Sequence, residues 1–482
     1  MQPFMVVKSI IYRGVIIMQR DERIIEEFMN FSRIPHGSGN EKKVGEYLVE
    51  WAKAHNLKCE MDSYGNVIME KDAAVGYENA EKVILQSHLD MVCVADSGKE
   101  YNPVTDPIEI YRDGDFLKAK GTSLGADDGA GVAMMLYILS DNTLKHPAIR
   151  AIFTVEEETS MKGAENLNIK YLDAKYLLNL DWEEKDSISS SCSNTVSIIF
   201  DSPVTKEKNT LPGYKIKAMN LLGGHSGCDI NLPRANAIKI LASLMLDTNC
   251  SVASFNAGRV VNAICAEAEA VIATDCDVAE AVKAFKDAIK AEYPNETALE
   301  ITFEKCDVET VLCKADSDKL ISFLTSVHSG VFYMSKYTPD FVETSQNIGI
   351  VKLSDSLHIE ILARSSSKFH SEERKRAAKA LAIAYGYSLS IPSENPIWEE
   401  KGENDLIRIM KKAYSEVVGE DLKVIGVHAG LECAFFSSVK PDMQMVSVGP
   451  QLYDVHSPKE RWEISSLGKT IDFIIKALEM MY

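Results

Sequence analysis

The chain has 482 residues, too many for one ordinary domain, so two or three are expected. A formal net charge of −19 argues against nucleic acid and against anionic membrane surfaces, both of which call for basic patches. Ten cysteines form no C-x-x-C pair, which speaks against a zinc ribbon or a thioredoxin-type centre and for free thiols in a reducing cytoplasm.

In chain order, residues 1–17 carry Lys8 and Arg13 inside an otherwise apolar run, with no small-residue cleavage site after it. They read as a leader or loosely ordered extension, not as a targeting signal. From Asp21 the spacing Ile24, Ile25, Phe28, Met29 predicts an amphipathic helix, stopped by Pro35 and the glycines at 37 and 39. Asn40 is expected to cap a second helix with Val44, Tyr47, Leu48 and Trp51 on one face. Leu57–Met61 and Val67–Met69, joined through Tyr64-Gly65-Asn66, predict a hairpin.

Val83–Asp90 (V-I-L-Q-S-H-L-D) then predicts a buried strand that opens into a loop at His88 and Asp90. A strand turns residues i and i+2 to the same side, and sites in open α/β sheets gather at strand carboxyl ends. Packing alone would account for one such pair. The pattern recurs, however, at Ala151–Glu158 (A-I-F-T-V-E-E-E), at Tyr176–Asp181 (Y-L-L-N-L-D) and at Met445–Pro450, the last followed closely by His456.

After the loop Gly121–Ala126, the segment Asp127–Asp141 predicts a helix with Val132, Met135, Leu136 and Leu139 inward. Asp127 and Asp128 open it, where the helix dipole favours negative charge, so capping explains them as well as a ligand role does. Strands 149–155 and 176–180 continue an alternation that implies a mostly parallel, helix-covered sheet. Between Cys192 and Pro392 no further strand-end cluster occurs; strands near 214–219, 268–273 and 299–303 and four helices suggest an α+β insert. After Pro396 the first pattern returns. The expected architecture is therefore α/β, with a catalytic domain from 18–191 and 393–482 interrupted by an inserted domain, 192–392.

The strand-end and loop polar residues are His88, Asp90, Asp127, Asp128, Glu156, Glu157, Glu158, Asp181 and His456. Imidazoles with carboxylates and no thiolates suit zinc, manganese or cobalt. The set exceeds one tetrahedral site; two ions sharing a carboxylate would use it, and such pairs activate a hydrolytic water.

Together H-L-D (88–90), G-A-D-D-G (125–129), the E-E-E run (156–158), N-L-D (179–181), G-G-H-S-G (223–227) and H-S-P (456–458) resemble the di-zinc metallopeptidases that include aminoacylase and carboxypeptidase G. I-P-H-G-S, G-T-S-L-G-A-D-D-G, V-E-T-S-Q-N-I-G and H-A-G-L-E-C are similar to the aminoacyl-histidine dipeptidase (Xaa-His dipeptidase) branch, in the same order from about Met18 onward. The resemblance implies two divalent ions, zinc first and manganese or cobalt as options. His88 and Asp181 would bind one, Glu158 and His456 the other, and Asp127 would bridge them; which ion is which stays open. Asp90 would orient the His88 imidazole, and Glu157 would be the general base acting on a metal-activated water.

The family pattern is E-E-x-G, and this chain has Ser160 at the glycine position. Counting back from Ser160 gives Glu157 as base and Glu158 as ligand; a shift by one stays open. The resemblance further implies that His225 reaches the scissile carbonyl from a lid or from a partner subunit, and that Asn262 and Arg364 contact substrate, the planar guanidinium suiting a free carboxylate. Polar surface residues would look the same in sequence. The implied activity is cytoplasmic, metal-dependent hydrolysis of dipeptides and other short unblocked peptides with an Xaa-His preference. An amidase, deacylase or tripeptidase on the same centre, and a non-catalytic metal-binding relative, are the alternatives; intact Glu157 and Asp90 speak against the last. The implied partner is a small peptide, with a homodimer as an open option.

Overall fold

Val83–His88 is buried at every position and lies inside an eight-stranded sheet. The computed structural model describes residues 20–482, so the expected 1–17 leader lies outside the described residues. The sheet order is Lys58–Met61, Val67–Lys71, Ile149–Thr154, Val83–His88, Tyr176–Asn179, Gln444–Ser447, Ser187–Cys192 and Lys423–Val427. The four strands from Ile149–Thr154 to Gln444–Ser447 run parallel, and antiparallel strands join them on either side. Parallel strands are covered on both faces, which is why I-R-A-I-F-T, V-I-L-Q-S-H and Y-L-L-N are near-continuous buried runs.

The helix Ala126–Ser140 is buried from Ala126 to Leu139, the condition of a helix apolar all round and sunk in the core. Farther along the chain, Asp405–Val418 and Ile464–Met480 pack together, with Tyr414 edge-on to Phe473 at 5.2 Å. The hairpin is as expected: Asp62 gathers the amides of Tyr64, Gly65 and Asn66 at 2.9–3.0 Å and closes the turn.

Asn40 does not cap the helix Lys42–Ala54. Its amide instead donates to the carbonyls of Pro35 (3.1 Å) and Val104 (3.4 Å), and Glu41 holds the N-cap position without a side-chain cap bond. The Glu41 carboxylate accepts from the amides of Gly39 and Glu156, so loop-to-loop bonding took both residues away from the helix end.

The chain forms two units. One comprises residues up to Ser191, Lys401–Gly426 and Phe435–Tyr482; the other comprises Cys192–Glu400 and Val427–Ala434. The second unit has its own core and a nine-stranded sheet, antiparallel at every pairing, with helices Ala237–Asp247, Val278–Glu292, Lys314–Ser326 and Lys368–Tyr385. It runs past residue 392 and takes in 427–434 because main-chain bonds tie those segments to its start: Cys192 N donates to Trp398 O (3.0 Å), Ser193 N to Val427 O (3.1 Å) and Asn395 N to Thr195 O (3.0 Å) in its first strand, Asn194–Pro203. Among the described residues no helix is long and apolar enough to cross a membrane.

Candidate metal centre

The site of the first unit grows from strand ends. His88 closes its strand at 1 % exposure. Its Nδ1 lies 3.0 Å from the main-chain oxygen of Asp90, which turns Nε2 to the other side. There it meets Asp127 Oδ1 at 3.2 Å and Asp181 Oδ1 at 3.6 Å, the latter just beyond the strand Tyr176–Asn179.

Asp127 and Asp128 do not have helical backbones although they stand at the head of Ala126–Ser140, so regular helix begins after them. Asp128 takes the capping role: Oδ1 accepts from Gly131 N and Oδ2 from His88 N. Asp127 is thereby left to the cluster. Its second oxygen, Oδ2, lies 3.0 Å from His456 Nε2, and the same nitrogen lies 2.9 Å from Glu158 Oε1.

Among the described residues three groupings have ligand atoms close enough to hold a metal ion: His88–Asp127–Asp181, Asp127–Glu158–His456 and His88–Glu157–Glu158. Asp127 belongs to the first two, one carboxylate oxygen toward each imidazole. Within the acidic run, Glu156 accepts from the Ser160 hydroxyl and lies in none of the groupings.

The Asp90 carboxylate sits 3.5 Å from His88 Nδ1, beside the imidazole, and also accepts from the amides of Glu157 (2.9 Å) and Glu158 (3.1 Å) and from the Ser38 hydroxyl (2.7 Å). Asp90 thus stands at both the imidazole, which its main-chain oxygen also meets, and the acidic turn.

The electrostatics of this cluster are those of a place for a cation. Burial pushes the Asp181 and Glu158 carboxyls up, and the Asp127 charge adds to it. Burial alone would raise Asp127 too, but hydrogen bonds to His456 and His88 hold it below the usual range. His456 is pushed up to about 11 by its bonds to Asp127 and Glu158, while at His88 the pull of Asp181 and Asp127 outweighs burial, which would lower it. Imidazole nitrogen with carboxylate oxygen and no sulfur is a donor set for a divalent transition metal, and such ligands bind it deprotonated. The residues fit the group.

In the second unit, His225 Nδ1 accepts from Cys228 N at 3.1 Å, which puts the proton of a neutral ring on Nε2. Burial, then the neighbouring Arg364, hold this imidazole below its ordinary pKa. Nε2 lies 3.3 Å from Arg364 Nη2, which puts the imidazole and the guanidinium side by side. Arg364 is 5 % exposed, and burial lowers it to about 10. Asn262 is exposed and reaches this region through its main chain, its carbonyl accepting from Ser226 N. Sequence reasoning quoted His428 within H-A-G-L-E-C but gave it no role; its Nε2 lies 2.7 Å from the hydroxyl of Ser345, the cross-strand neighbour of Arg364.

A profile of peptidase family M20/M25/M40 matches residues 84–480. The cytosol non-specific dipeptidase of Escherichia coli K12 is 32 % identical over 457 residues, covering 92 % of this chain and 94 % of that one. The crystal structure of an aminoacylhistidine dipeptidase from Vibrio alginolyticus superposes with a TM-score of 0.87 at 29 % identity, covering 95 % of this chain and 96 % of the other. A tripeptidase from Staphylococcus aureus, at 15 % identity and a TM-score of 0.56 over 96 % of this chain and 98 % of its own, shares the fold. Because the family profile spans most of the sequence and includes all the strand-end residues from His88 to His456, the chain belongs to peptidase family M20/M25/M40.

Proposed function

We propose that this protein is a metal-dependent dipeptidase that hydrolyses dipeptides and other short unblocked peptides, with Xaa-His among its preferred substrates. The observation that carries the reading is Asp127, whose two oxygens face His88 on one side and His456 on the other. The near end-to-end similarity to the E. coli dipeptidase supports the substrate class, and that to the V. alginolyticus enzyme supports histidine at the second position. The name of the E. coli relative supports a cytoplasmic location.

His88, Asp127 and Asp181 would hold one ion, and Asp127, Glu158 and His456 the other, with zinc the first choice. Ions bound there would polarise the scissile carbonyl and make water a nucleophile at neutral pH, its pKa brought from about 15.7 toward about 7. Glu157, on the turn that Asp90 holds by the Glu157 amide, would take a proton from the attacking water on a carboxylate oxygen and hand it to the leaving amine. His225 would donate from Nε2 to the carbonyl oxygen as negative charge grows on it, and the Arg364 fork would receive the free carboxylate of the peptide beside Asn262.

A peptide panel tests the substrate class. With zinc, manganese or cobalt supplied, free dipeptides including β-alanyl-histidine are expected to be cleaved and their N-acylated counterparts to be left intact. Faster release from the acylated compounds would replace the dipeptidase reading with a deacylase. A second expectation concerns His225→Ala, which should lower kcat by about 10²–10³ while metal content stays at the wild-type value. A near-normal kcat would leave His225 as a polar turn residue.

A further inference from the structure

Glu460 is a carboxylate buried to 3 % exposure, four residues beyond His456, and its partners are main-chain amides. Oε2 accepts from Leu124 N at 2.7 Å and Gly125 N at 3.0 Å; Oε1 accepts from Ala126 N at 2.8 Å and Asp127 N at 3.3 Å. Four consecutive amides thus converge on one side chain, a concave nest of N–H dipoles that stabilises a buried anion. The chain bends to form it at Gly125, which has φ 70°, and a Cβ there would stand 2.7 Å from Met91 Sδ.

The last of the four amides belongs to Asp127, the residue shared by two groupings of ligands. Its side chain must present Oδ1 to His88 and Oδ2 to His456 at once. Rotating its backbone would spoil one contact in favour of the other. The segment that brings Glu460 also brings His456, and Glu460 N donates to Ser457 O (3.1 Å), closing the turn between them. One five-residue stretch therefore supplies an imidazole to the cluster and fixes the carboxylate opposite it.

We infer that Glu460 is a positioning residue that sets the Asp127 carboxylate between the two imidazoles by clamping the backbone of 124–127, and that it tunes metal affinity without touching the ions. The inference rests on the proposed metal centre. Its ligand is that same divalent ion, reached through Asp127.

Glu460→Gln is the informative change, because it keeps the size but offers only one acceptor oxygen to four amides and turns an NH₂ group against two of them. Cobalt binding by equilibrium dialysis, the visible spectrum of the cobalt-saturated protein, and kcat and KM are measured on full-length protein. The expected result is a fall of about 10–100-fold in cobalt affinity, an altered spectrum at saturation, and a lower kcat with KM within about twofold. A residue serving only the stability of the loop would move the melting temperature and leave the spectrum and the affinity alone. If Glu460→Gln does not fold, Glu460→Asp, which keeps the charge and withdraws it by one methylene, carries the same expectation. Wild-type affinity and spectrum in a folded variant overturn the inference. Asp127→Asn, run alongside, separates the two ideas: loss of cobalt there with none in the Glu460 variant leaves the metal centre standing and removes Glu460 from it, whereas wild-type cobalt binding by Asp127→Asn removes the metal centre and this inference together.

Discussion

Asp127→Ala is expected to bind neither metal ion and to hydrolyse peptides at background rate. The residue offers one oxygen toward His88 and Asp181 and the other toward His456 and Glu158. Without it each of the two groupings that share it falls to two protein ligands, below the three that catalytic zinc sites keep. The loss is therefore shared by both positions, unlike a change at Asp181, which strips one grouping of a member. Chelation of the wild-type protein should reproduce the loss of activity, and re-addition of zinc should restore it in the wild type but not in the variant. Asp128→Asn is the control, since Asp128 bonds the amides of Gly131 and His88 and belongs to none of the groupings; its metal content should match the wild type. Metal content is read by elemental analysis of dialysed protein. Two ions per chain in Asp127→Ala, or full turnover by a metal-free wild type, would sink the di-metal reading.

Much of this centre was legible because buried parallel strands leave a strong trace. V-I-L-Q-S-H and Y-L-L-N open on apolar, buried residues, and the polar residues that close them stand out against the run. What the sequence concealed depends on the main chain. Spacing tells that Asp90 can reach the side of His88, but it cannot tell that the Asp90 carbonyl meets the imidazole while the carboxylate turns to the amides of Glu157 and Glu158. Glu460 left no trace for a similar reason, since its four partners are N–H groups that almost any residues would offer. Asn40 carried a good capping signal and was overruled by bonds to Pro35 and Val104, the second 64 positions away. The join near residue 392 had no compositional mark, and the return of 427–434 to the second unit rests on contacts such as Ser345 with His428 across 83 positions. His225 and Arg364, 139 positions apart, are neighbours only in the folded unit.

Glu157→Gln should keep both metal ions and lose turnover by about 10²–10⁴-fold, the range for removal of a general acid–base group. The amide has nearly the same shape as the carboxylate but cannot take the proton of the attacking water. The position is singled out by its neighbours. Glu156 is engaged by the Ser160 hydroxyl, and Glu158 lies 2.9 Å from His456 Nε2, the geometry of a fellow ligand. Glu157 lies in one grouping with His88 and Glu158, outside the two that share Asp127. Its main chain is pinned by Asp90, so the variant side chain keeps its place and the effect should fall on kcat with little change in KM. Glu158→Gln supplies the contrast: under the proposed assignment it removes the charge of the carboxylate that faces His456 and should lower metal content along with activity. Measured side by side, metal stoichiometry and kcat separate base from ligand. If Glu157→Gln loses metal while Glu158→Gln keeps it and loses only turnover, the two roles are exchanged and the acidic run must be read one residue along.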